Sequence, residues 1–146
     1  MSIIDAHVHV LDDYQPMTPF QDMGRVDRLL HWMDDAAVDK AVMLPVVTDF
    51  SPGNNEECSR WARDNPDRLA AMTDVPLHEA NAPARVRAAR DQYNAVAISC
   101  YPATADLSWM TAADELWEAF ADSGLPCNLQ VTPPNYQHII TVARQH

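Results

Sequence analysis

The chain has 146 residues, 47% of them apolar, and a formal net charge of −11. So acidic a surface argues against nucleic acid and anionic membrane as partners, since both would repel it. No run approaches the roughly 18 consecutive apolar residues of a membrane span, and the opening MSIIDAHVHV carries no basic export signal, so a cytoplasmic location is expected.

Cys58, Cys100 and Cys127 are odd in number and form no C-x-x-C pair, which supports neither a zinc knuckle nor a disulfide framework. Cys100 and Cys127 lie in apolar runs and are expected to be buried thiols.

Five short apolar runs read as strands, each followed by a helical pattern. The first strand spans residues 2–10, and residues 25–38 place Val26, Leu29, Leu30, Met33 and Ala37 on one helical stripe. A second strand, 40–47, precedes a helix capped by Asn54 or Asn55 and closed by Pro66. A third strand, 69–77, leads to a helix opened by Pro83 and running through Arg90. After a fourth strand, 95–101, Thr111 and Asp114 are spaced as a capping box for a helix that stops at Gly124. The fifth strand, 125–132, is followed by a helix starting at Asn135.

Strand–helix alternation of this regularity predicts an α/β fold with a parallel sheet. No G-x-G-x-x-G or P-loop follows any strand, so nucleotide binding on an open sheet is not indicated. A closed (β/α)8 TIM barrel is the alternative. Five units in this length give about 29 residues each, and eight would need roughly 235. The sequence therefore predicts that residues 1–146 are the N-terminal part of a single barrel domain, a truncated barrel of about five βα units.

The chemistry-bearing segment is Ile3-Ile4-Asp5-Ala6-His7-Val8-His9-Val10. In a regular strand Asp5, His7 and His9 share one face, while Ile4, Ala6, Val8 and Val10 share the other and pack on helices. His7 and His9 would then sit at the carboxyl end of the first strand, where barrel active sites lie, before a polar loop (Asp12, Asp13, Tyr14, Gln15). Two imidazoles about 7 Å apart along the strand can converge on one divalent ion, and neutral imidazole suits zinc, the first expectation, iron or manganese.

Inward positions on later strands are Ser99 and Tyr101, and Asn128, Gln130 and Thr132. Of these, Tyr101 and Gln130 are the candidates for binding a substrate carboxylate or hydroxyl. Asp74 and His78 close the third strand, with His78 either bordering the site or in a loop. His31 and His138 are expected at the surface. Trp32, Trp61, Trp109 and Trp117 are expected to pack between helices and sheet. No Ser or Cys occupies a G-x-S-x-G context, which disfavours a covalent serine or cysteine mechanism.

The opening I-I-D-A-H-V-H-V resembles the first-strand signature of the amidohydrolase superfamily. Residues 30–45, the N-P-D-R-L at 65–69 and Gly124-Leu125-Pro126 resemble its amidohydrolase 2 branch. The resemblance covers essentially the whole chain and implies a (β/α)8 barrel of metal-dependent hydrolases, lactonases and non-oxidative decarboxylases. Two departures stand out. The carboxylated lysine of binuclear members has no counterpart, Lys40 being the sole lysine and lying at the start of strand two. Gln130 stands where mononuclear members place a metal-binding histidine on strand five.

That substitution resembles the lactonase-like subgroup, some of whose members work without a metal. The resemblance therefore implies a hydrolase opening a lactone or similar ester of a small carboxylic or sugar acid. His7 and His9 would bind one divalent metal or polarise the substrate carbonyl directly. The alternatives are a metal-dependent decarboxylase of an unsaturated or aromatic acid, and a catalytically incomplete half-barrel. The last would act only by self-association or with a missing C-terminal half, which would supply a histidine and a water-activating aspartate.

Overall fold

The computed structural model describes residues 2–12, 24–48, 51–102 and 106–146, so Asp13, Tyr14 and Gln15 of the expected polar loop lie outside the described residues. The chain groups into two compact units, residues 1–73 and 74–146.

In the first unit, β1 (Ile4–His9) pairs in parallel with β2 (Lys40–Leu44), which pairs in parallel with β5 (Leu69–Asp74). A two-residue hairpin, β3 (Val47–Thr48) and β4 (Ser51–Pro52), lies between them in sequence. The register explains the core. Ala41 is opposite Leu69 and Met43 opposite Ala71, so the apolar faces of two strands coincide. They pack with Val10, Met33 of α1 (Val26–Asp35), and Cys58 and Trp61 of α2 (Asn55–Asp64).

α1 closes in a Schellman motif: the Val38 amide donates to the Met33 carbonyl at 2.8 Å and the Ala37 amide to Asp34 at 3.2 Å. Ala37 takes the left-handed conformation, φ 54°, that such a cap requires and glycine adopts more readily. Asn54 precedes α2 but makes no capping bond with its side chain. Its buried amide spans two loops instead, donating from Nδ2 to the Val10 carbonyl at 2.7 Å and accepting at Oδ1 from the Val46 amide at 2.8 Å.

In the second unit, β6 (Ala97–Cys100) pairs in parallel with β7 (Cys127–Leu129). Their apolar residues pack with α3 (Ala82–Tyr93), α4 (Asp114–Ser123) and α5 (Tyr136–Gln145) through Val86, Ala89, Leu116, Phe120 and Val142. The expected capping box at Thr111 does not form. Ser108–Ala112 is a 3₁₀ turn, with the Thr111 hydroxyl bonded to the Ser108 carbonyl, and α4 begins only at Asp114. Gly124 closes α4 at φ 61°, as expected.

Two burial expectations change. Trp32 is 38% exposed, its ring under the Arg28 guanidinium, whereas Trp61 and Trp117 are buried. Cys100 is buried but Cys127, the first residue of β7, is exposed.

Candidate active site

β1 departs from regular alternation. Ile4 and Asp5 pair with Lys40 and Ala41, while Val8 and His9 pair with Met43 and Leu44, so β1 uses three residues where β2 uses two. The extra residue is a β-bulge, which re-aims side chains. Asp5 and Val8, on opposite faces of a regular strand, now line one cavity of about 360 Å³ with His9 and with Leu29, Trp32 and Met33 of α1. The expected apolar face is therefore broken: Ile4 is 57% exposed while Val10 is 1% exposed. Among the described residues β1 is paired along one edge only, by β2.

His7 falls within the bulge and His9 just after it, and their rings meet with centroids 5.2 Å apart and nearly perpendicular. His9 Nδ1 is 3.1 Å from the Leu44 carbonyl oxygen. A carbonyl only accepts, so Nδ1 carries the proton and the lone pair of the neutral ring is on Nε2. Burial against the strand end lowers the His9 pKa from 6.5; the Leu44 bond opposes this, and the neighbouring His7 lowers it further. Asp5 accepts from the His7 amide at 3.1 Å, holding its carboxylate against the backbone.

Tyr101 and Gln130 come together in the second unit, at the ends of β6 and β7. With Leu107, Thr132 and Asn135 they line a cavity of about 180 Å³. The Gln130 amide donates to the Cys100 carbonyl at 3.1 Å, extending the β6–β7 pairing. Asn135, buried, accepts from the Leu107 amide at 3.2 Å and donates to the Thr132 hydroxyl at 3.0 Å, fixing the cavity floor. The hydroxyl of Ser99, also inward by alternation, is buried without a hydrogen-bond partner among the described residues. His78 is exposed.

Asp74 is the group the sequence undervalues. It is 9% exposed at the end of β5, and burial raises its pKa from 3.8 to about 6, with Arg85 opposing and Glu79 adding to the shift. Burial pushes the Cys58 thiol up to about 12 and Cys100 to about 11, so neither is a thiolate near neutral pH.

Among the described residues no three His, Cys, Asp or Glu side chains cluster as a metal site. The donor set is thus partial: two imidazoles, one oriented by a carbonyl on its far nitrogen, as metal-binding histidines commonly are. That arrangement fits two of the ligands of a divalent ion.

Residues 4–146 match the amidohydrolase family. The chain belongs to this family. None of the curated proteins compared with this amidohydrolase matches it. Solved structures similar to it include a probable 2-pyrone-4,6-dicarboxylic acid hydrolase from Acinetobacter baumannii with citric acid bound. The two share 14% identity and a TM-score of 0.67, over 100% of this chain and 55% of that one. A 5-carboxyvanillate decarboxylase from Sphingomonas paucimobilis is 16% identical, with a TM-score of 0.67 over 86% of this chain and 50% of that one. A 5-carboxyvanillate decarboxylase from Novosphingobium aromaticivorans is complexed with manganese and 4-hydroxy-3-methoxy-5-nitrobenzoic acid. It is 13% identical, with a TM-score of 0.66 over 96% of this chain and 55% of that one. The fold class is accordingly the (β/α)8 barrel, of which this chain supplies five βα units and spans about half the length of these structures. No described helix is long and apolar enough to cross a membrane.

Proposed function

We propose that the amidohydrolase to which these residues belong is a cytoplasmic hydrolase that opens a lactone or similar ester of a small carboxylic acid, with His7 and His9 holding one divalent ion. The observation that carries this reading is the His9 tautomer. Direct polarisation of a substrate carbonyl by His9 needs an N–H aimed at it, but the Nδ1 proton is committed to Leu44. The ring then offers a lone pair from Nε2, which suits a metal ion better than a carbonyl oxygen. A bound ion supplies Lewis-acid polarisation of the carbonyl or a water of lowered pKa. The chain's own residues do the rest. Leu44 fixes the His9 ring, and burial and His7 keep it neutral; Tyr101 and Gln130 line a separate cavity of the second unit, read as a place for a carboxylate.

A decarboxylase reading is favoured by the likeness to two carboxyvanillate decarboxylases, one of them holding manganese. Gln130 weighs against it, since the resemblance to the family implies a metal-binding histidine at that position of the strand and a neutral amide is a poor metal ligand.

Metal titration of the purified protein tests the shared part of both readings. One equivalent of zinc or manganese should bind, and His7→Ala or His9→Ala should each weaken it by about tenfold or more. Unchanged affinity in both variants would sink the metal role. Ring opening of 2-pyrone-4,6-dicarboxylate against release of carbon dioxide from 5-carboxyvanillate then separates hydrolase from decarboxylase.

A further inference from the structure

We infer that Thr132 donates a hydrogen bond to the acid oxygen held in the Tyr101–Gln130 cavity, and that Asn135 is the positioning residue that gives it that role. This rests on the reading of that cavity as a place for a carboxylate. Thr132 and Asn135 line the cavity together with Tyr101 and Gln130. The direction of the bonds is fixed at their start. Asn135 accepts from the Leu107 amide at 3.2 Å, and a backbone N–H only donates, so the accepting atom is Oδ1 and the other end of the side chain is Nδ2. Nδ2 has only hydrogens to offer, and it donates to Thr132 Oγ1 at 3.0 Å. Asn135 is 6% exposed and would lose both bonds by turning over, so its orientation is held. Its backbone amide also donates to the Thr132 carbonyl at 2.9 Å, which ties the two residues together.

A hydroxyl has one hydrogen and two lone pairs. One lone pair of Thr132 is taken by Asn135, and among the described residues no acceptor takes its hydrogen. That hydrogen is left for an oxygen brought into the cavity. The described residues lining the cavity carry no formal charge, so they meet a carboxylate with neutral donors alone. A hydrogen bond to a charged oxygen is stronger than one between neutral groups, which raises the weight of each donor. At about 180 Å³ the cavity suits an acid of ring size, since a cavity of about 150 Å³ holds a benzene ring.

Benzoate is the probe, and its binding to the whole chain is measured by calorimetry at neutral pH in metal-free buffer. Gln130→Ala should weaken it, which places benzoate in the cavity. Thr132→Val, close in shape but without the hydroxyl, should weaken it about fivefold or more, whereas Thr132→Ser should stay within about twofold of the unmutated protein. Asn135→Ala should weaken it by about threefold in the unmutated background and hardly at all in the Thr132→Val background, because its effect runs through that hydroxyl. Full affinity in Thr132→Val, or equal losses in Thr132→Val and Thr132→Ser, would overturn the inference and leave the cavity's role standing. Equal losses from Asn135→Ala in both backgrounds would overturn the positioning role of Asn135. No binding of benzoate by the unmutated protein, or binding that Gln130→Ala leaves unchanged, would overturn the reading of the cavity as well.

Discussion

His9 Nδ1 lies 3.1 Å from the carbonyl oxygen of Leu44, the residue opposite it in the β1–β2 register. The strand pairing that builds the sheet therefore also selects the imidazole tautomer. With His7 beside it and part of its ring buried, His9 should titrate below 6.5 by NMR, and His7→Ala should move it upward by removing the like charge. The folded state thus holds His9 neutral where an unfolded chain would take a proton. Its contribution to stability is complete above about pH 6.5 and is lost as the pH falls through the lowered value. A His9 that titrates above 6.5 would contradict this.

The carboxyl ends of β1 and β2 are held by Asn54, whose amide satisfies the Val10 carbonyl and the Val46 amide. Asn54→Ala should destabilise the protein by about 2–4 kcal/mol, two buried backbone groups losing their partner. Denaturant unfolding would measure it as a lower midpoint at unchanged slope. A change under about 0.5 kcal/mol would mean that water replaces both bonds.

How far this was legible in the sequence follows from how local each signal is. The βα alternation and the helical stripes at Leu29, Leu30 and Met33 are local patterns, and the five units appear where expected. The bulge in β1 is set by its register against β2, a long-range property that no period-two count on Asp5, His7 and His9 can contain. Asn54 and Asn135 read as caps, yet their side chains bond across loops 44 and 28 residues away in sequence. Asp74 looks like any loop carboxylate until its burial is known. Gln130 and Tyr101 fall on one cavity because Cys100 and Leu129 are in register, which alternation on each strand separately suggests without fixing.

Ala37 offers a test of local strain. Its φ of 54° sits at the cap of α1, where a Cβ crowds the backbone and glycine does not. Ala37→Gly should raise stability by up to about 1 kcal/mol, the relief of strain exceeding the extra entropy of an unfolded glycine. Thermal unfolding would show a midpoint a few degrees higher. A lower midpoint would mean that the Ala37 side chain contributes more by packing than it costs in conformation.

Asp74 gives a pH-dependent stability prediction independent of any ligand. Its folded pKa, about 6, lies above the unfolded value of 3.8, so the folded state binds the extra proton. Its favourable contribution is fully present below about pH 3.8 and is lost as the pH rises through about 6. A gap of roughly two pH units corresponds to about 3 kcal/mol by the time the carboxylate is ionised. Asp74→Asn, similar in shape and without the charge, should therefore be nearly neutral at about pH 4 and stabilising by as much as about 3 kcal/mol at about pH 7.5. The effects of Arg85 and Glu79 on the Asp74 charge, the first opposing and the second adding, are already part of that shift. The decisive quantity is the difference between the two unfolding curves across pH, which a purely structural hydrogen-bonding role would leave flat. A destabilised Asp74→Asn protein at pH above 7 would show that the ionised carboxylate is held by its surroundings more strongly than its burial penalises it.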